Sequence, residues 1–122
     1  MTRLLLAAAA GLALTGSLAL AAPEGVGPTD AGVLADADGM TLYTFDNDSE
    51  GTSVCYDDCA VNWPPFLAAE GAEEGDGYTL VTRDDGSLQW ALDGMPLYYW
   101  IGDTAPGDTN GDGVGGVWHV IQ

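Results

Sequence analysis

DGMTLYTFDND (38–48) and DGMPLYYWIGD (93–103) are two versions of one segment, 55 residues apart. Asp38-Gly39-Met40 meets Asp93-Gly94-Met95, Leu42-Tyr43 meets Leu97-Tyr98, Phe45 meets Trp100 and Asp48 meets Asp103. The same offset carries Trp63 onto Trp118 with no gap. Two copies are too few for a solenoid, in which internal repeats cap one another in a row. They suit a single body in which each half covers the apolar face of the other about a pseudo-twofold axis.

Within the repeat the pattern is β. Side chains alternate across a strand. Met40 and Leu42 therefore point to one face, Tyr43 and Phe45 to the other, and both faces are apolar. Such a strand is expected at the centre of a fold, covered twice. YTLVT (78–82), SLQWAL (87–92) and MPLYYW (95–100) are separated by Asp84-Asp85-Gly86 and Asp93-Gly94. Asp-Gly between β-rich runs signals a hairpin, because the turn needs positive φ. GVWHVIQ closes the chain as a last strand, and Pro96 should leave one edge of its own strand unpaired. The expected fold class is all-β, a small antiparallel sheet domain built from two pseudo-twofold related repeats. Few or no helices are expected apart from the leader; residues 66–76 read as a surface loop with room for one helical turn.

The leader is residues 1–21. Arg3 precedes a Leu/Ala run to Leu20, Ala19-Leu20-Ala21 is a small-x-small cleavage site, and polar sequence follows. A single β domain is then expected over 22–122, with repeat one at about 26–66, an acidic loop at 67–77 and repeat two at about 78–122. The protein is expected to be exported, periplasmic or secreted. No Cys stands near the cleavage site to carry an N-terminal lipid.

Beyond the leader, Arg83 alone opposes 19 acidic residues, and Lys is absent. Such a chain is not expected to bind nucleic acid or an anionic membrane directly, since both attract Lys and Arg. Four Trp, five Tyr and two Phe argue against disorder. A solvated anionic surface suited to high salt is the plainest reading.

Three groups of residues carry candidate chemistry. Cys55 and Cys59 enclose Tyr-Asp-Asp. In an exported chain they suggest a disulfide, worth about 2 kcal/mol for so short a loop. A catalytic dithiol is disfavoured, because Asp57 and Asp58 oppose the thiolate. Asp108, Asn110 and Asp112, with Gly113, match the start of a calcium loop. His119 stands in place of the closing Glu, and an ordinary Asp/Asn/Gly turn reads the same way. A poorer version runs Asp46, Asp48, Glu50. His119 is the only histidine, too few for a blue-copper or His-rich zinc site. The aromatic pairs Tyr43/Phe45 and Tyr98/Trp100 serve either as core or as a platform for a ring or sugar, and core is favoured.

TLYTFDND, PLYYWIGD, SVCYDDCAVNWPPF and PGDTNGDGVGGVWHV together resemble the bacterial secreted-repeat family of predicted lipoproteins with a Yx(FWY)xxD motif. The resemblance covers about 26–122. Its motif positions fall on Tyr43, Phe45, Asp48, Tyr98, Trp100 and Asp103, with Cys55, Cys59, Trp63, Pro64 and Pro65 between the copies. It implies a secreted or lipid-anchored protein with no settled molecular function, and the missing lipidation Cys sets this chain apart from the anchored members. The expected function is a non-enzymatic envelope or periplasmic module that binds an envelope protein or small ligand, without a cofactor. Asp48 and Asp103 are expected to accept hydrogen bonds from turn backbone just past each central strand. The alternatives are a calcium-binding adhesion or stability module and a thiol-disulfide oxidoreductase using Cys55 and Cys59.

Overall fold

A computed structural model describes residues 22–122. The expected leader, 1–21, lies outside the described residues. Within them no helix is long and apolar enough to cross a membrane.

The domain is antiparallel β throughout, in short pieces. β1 (Gly27–Pro28) pairs with β2 (Leu34–Ala35), β3 (Tyr43–Phe45) with β7 (Trp118–Val120), and β4 (Tyr78–Thr82), β5 (Leu88–Leu92) and β6 (Met95–Pro96) form a three-stranded meander. One five-residue helix, α1 (Asp58–Asn62), and a 3₁₀ turn at Val114–Gly116 are the only helical elements among the described residues. The helical turn carries Cys59 and ends at Trp63, whereas the 66–76 stretch closes a simple turn, Ala72 N–H donating to the Ala69 carbonyl.

Each hairpin follows its turn residues. Asp93 and Gly94 both have positive φ, 52° and 89°, and join Leu92 to Met95 directly. That is the two-residue loop whose twist matches the strands. The first copy solves the same problem with one residue more. Gly39 N–H donates to the Asp36 carbonyl and Asp36 N–H to the Met40 carbonyl, so only Gly39 takes positive φ. Upstream of the turns the copies are therefore 56 residues apart: Leu42 N–H reaches the Leu34 carbonyl, Leu97 N–H that of Trp90.

The pseudo-twofold axis passes between Tyr43 and Tyr98. Each donates its N–H to the other's carbonyl, at 2.8 and 3.0 Å, which is the hydrogen-bonded pair of an antiparallel ladder. Leu42 and Leu97 fall on one side of this pair with Trp90; Tyr43, Phe45, Tyr98, Trp63 and Trp118 fall on the other. The doubly covered strand read from the sequence is this one.

The halves do more than pack face to face. β7, the end of repeat two, pairs with β3 of repeat one: Tyr43 opposes Val120 and Phe45 opposes Trp118. The end of repeat one does the same in return. Pro65 opposes Tyr98, Tyr99 N–H donates to the Pro64 carbonyl and Ile101 N–H to that of Asn62. Phe66 N–H donates in return to the Leu97 carbonyl, but Pro64 and Pro65 have no N–H to give, and this second ladder stays a bridge rather than a strand. Each repeat thus finds the partner for its central segment in the other repeat.

The aromatic side repeats the exchange in rings. Phe45, Trp118, Trp63 and Trp100 form one column with centroid spacings of 4.1, 3.7 and 4.2 Å. Trp63 and Trp118 lie face to face at its middle, 1° from parallel, and are pseudo-twofold mates, as are Phe45 and Trp100 at its ends. Tyr43 meets Trp63 edge-on and Tyr98 meets Trp118 likewise. Gly111 lies against this column; a Cβ there would come within 2.8 Å of the Trp63 ring.

Trp63→Ala and Trp118→Ala should each lower unfolding free energy by about 3–5 kcal/mol, and by similar amounts. Urea unfolding followed by fluorescence reads this; one large and one negligible effect would contradict the shared column.

Candidate functional site

The two repeat motifs meet in one place, and they are crossed. Tyr43 Oη donates to Asp103 Oδ2 at 2.6 Å, and Tyr98 Oη donates to Asp48 Oδ2 at 2.6 Å. Each motif tyrosine thus reaches the aspartate of the opposite motif. The tyrosines are wholly buried, and the aspartates are 7% and 8% exposed. The second carboxylate oxygen of each aspartate holds the loop that follows its strand: Val54 N–H donates to Asp48 Oδ1 and Asn110 N–H to Asp103 Oδ1. One carboxylate therefore ties its own corner to the other repeat's central strand.

Burial and the aspartate bond raise the pKa of the Tyr43 and Tyr98 phenols well above the ordinary tyrosine value. Tyr99 behaves alike, half-buried with Oη 2.7 Å from Asp36 Oδ2. Loss of hydration also raises the pKa of the Asp48 carboxyl, against the lowering effects of Tyr98, Val54 and Arg83. Charged hydrogen bonds of this kind contribute about 1.5–3 kcal/mol each.

The two corners differ in what stands behind the tyrosine. At the second, Gly111 N–H donates to Tyr43 Oη at 3.1 Å. At the first, Tyr98 Oη shares a 2.6 Å bond with Ser53 Oγ, and Arg83 Nη1 donates to the same Oγ at 3.0 Å. Arg83 is 6% exposed. It also donates to Gln89 Oε1 and to the Cys55 carbonyl, and its guanidinium lies 4.4 Å from the Tyr56 ring centroid. Gln89 in turn donates to the Leu97 carbonyl. The buried cation and the buried Asp48 carboxylate are thus joined through two hydroxyls. Sequence reasoning did not single out Arg83, Ser53 or Gln89 as partners. The available signal was the lone Arg at the end of an apolar strand in an otherwise cation-free domain.

Cys55 and Cys59 are disulfide-bonded, with Cα atoms 5.2 Å apart. Cys55 is fully buried against the aromatic column, with Cys59 at its edge. Asp108 Oδ2 accepts from Thr104 and Ala105 N–H, Asp112 Oδ1 accepts from Val120 N–H, and Asn110 Nδ2 reaches the Gly102 carbonyl. These three side chains organise turns. Among the described residues no group of three or more His, Cys, Asp or Glu is placed to hold a metal ion. His119 Nε2 lies 2.8 Å from Asp46 Oδ2 with both side chains substantially exposed, a pair worth at most about 1 kcal/mol. Trp100 is half-buried at the end of the column; its three companions are buried.

Double-mutant cycles should separate crossed from uncrossed pairs. Tyr43→Phe with Asp103→Asn, and Tyr98→Phe with Asp48→Asn, should each show coupling of about 1.5–3 kcal/mol. Tyr43 with Asp48, which share a motif, should couple by under about 0.5 kcal/mol. At high pH the sign follows from the raised phenol values. The folded state holds those protons more tightly than the unfolded chain. Stability is therefore intact below the ordinary tyrosine range near pH 10 and is lost as pH rises above it. Tyrosinate absorbance from these phenols should appear together with loss of near-ultraviolet circular dichroism; ionisation well before unfolding would contradict the burial.

Comparison with known proteins agrees with this two-part construction. No curated protein and no solved structure matches the chain. A family model described as a secreted repeat of unknown function matches it twice, over residues 26–66 and 79–122, one match for each half of the crossed pair. By those two matches, the chain belongs to that family of secreted repeats.

Proposed function

We propose that this protein is an exported, non-enzymatic binding or structural module of the cell envelope, freed of its leader and without an N-terminal lipid. Its motif residues build the scaffold, and its outer surface meets the partner. The observation that carries this reading is where the motif's chemistry goes. Both aspartates, both tyrosines and the aromatic column spend their polar and apolar surface on one another. A carboxylate that accepts a phenol and a backbone N–H inside the fold is a fastening, and its loss acts on stability first.

Among the described residues the surface is one-signed: Arg83, the only Lys or Arg there, is buried, so the exposed Asp and Glu side chains have no exposed Lys or Arg beside them. Such a field attracts cationic groups and speeds their encounter. The partner class that fits is an envelope protein or small ligand presenting positive charge. A calcium loop at Asp108, Asn110 and Asp112 is disfavoured, because two of the three would-be ligands hold backbone N–H groups. Thiol exchange is disfavoured because the Cys55 sulfur is enclosed.

The test is capture of envelope components by the immobilised domain at low and at high salt. A partner held at low ionic strength and released at high is expected. Salt-independent capture would overturn the surface reading. A turnover reaction that fails in Asp46→Asn or His119→Gln would overturn the non-enzymatic one.

A further inference from the structure

We infer that a second copy of this chain is a partner, and that two copies associate by exchanging repeats, each core then being built from repeat one of one chain and repeat two of the other. The ladders β3–β7 and 62–65 with 98–101 join one repeat to the other. So do the Tyr43–Tyr98 backbone pair, both Tyr–Asp bonds, the Trp63–Trp118 stack, and the bonds from Arg83 to Ser53 and Cys55. The β1–β2 and β4–β5–β6 hairpins and the disulfide stay within one repeat. The contacts that complete the core do not depend on which chain supplies the second repeat.

What ties the repeats into one monomer is the connection at 67–77. Leu67 and Ala68 pair with Gln89 and Leu88. From Ala69 to Asp76 the hydrogen bonds are local: Ala72 to Ala69, Gly75 with Tyr78, and Glu74 accepting from Leu80 N–H. Most of this stretch is exposed. It can swing outward without breaking a bond between the repeats, which is the requirement for a hinge. A short flexible tether sets an effective concentration in the millimolar range. The closed monomer therefore dominates in dilute solution, and exchange competes when chains fold near that concentration. Repulsion between two strongly acidic chains opposes dimers at low salt, and screening removes it.

The experiment uses full-length mature chains. Isotopically light and heavy wild type, unfolded together and refolded at about 1 mM in high salt, should give mixed dimers by native mass spectrometry after dilution into low salt. Only unmixed species would overturn the proposal. Trp63→Ala and Trp118→Ala chains refolded together distinguish exchange from surface association. An exchanged mixed dimer has one core with both tryptophans intact and one with neither. It should melt in part at the wild-type temperature, with about half the wild-type amplitude, a transition absent when either variant is refolded alone. Mixed dimers lacking that transition would overturn exchange.

Discussion

The phenol of Tyr43 is bonded to a carboxylate from the other half of the chain, and the phenol of Tyr98 returns the arrangement. Everything on the aromatic side is arranged around this crossing. The two tyrosines face each other across the pseudo-twofold axis as a backbone pair, so their side chains leave the ladder on the same face. Trp63 and Trp118 stack against each other on that face. A buried carboxylate is costly unless its oxygens are satisfied, and here one oxygen is met from each repeat. The arrangement is complete only when both repeats are present, which joins local turn geometry to the closure of the whole domain.

A small domain has little apolar area with which to offset its chain entropy. This one divides that area between the aromatic column on one side of the central pair and the Leu42, Leu97 and Trp90 cluster on the other. The disulfide, the buried Arg83 and the Ser53 hydroxyl are all at the first corner, around Asp48 and Tyr98. The second corner has a glycine backbone in their place, Gly111, lying against Trp63 and Trp100. The symmetry is thus held where the repeats touch and relaxed behind. Buried Arg83 lies near the Asp48 carboxyl, whose pKa burial raises, and moderates that cost without a direct ion pair.

Much of the fold was legible as pattern. The offset of 55 residues named the equivalent positions, the two-faced apolar strand named the centre, and Asp93-Gly94 named a hairpin. The helical turn at 58–62 was missed because its few residues give no periodicity, and its termini are set by the short disulfide loop and the prolines that follow. The carboxylate–backbone bonds of Asp48 and Asp103 follow from their place after a strand. That each aspartate also takes a phenol from the opposite copy had no signal in spacing, because every motif holds its own tyrosine at the same distance in sequence.

From its residues alone the chain declared an all-β, duplicated, strongly acidic domain with an exported character. Those properties rest on side-chain alternation, turn chemistry and charge, which act over a few residues or over the whole composition. Only the tertiary structure decided that the copies exchange their edges and tyrosine partners, and that Arg83 belongs inside. Two identical motifs can satisfy themselves or each other with the same local bonds. Which occurs depends on where the backbone ladder places Tyr43 opposite Tyr98, a long-range register that no stretch of sequence records by itself.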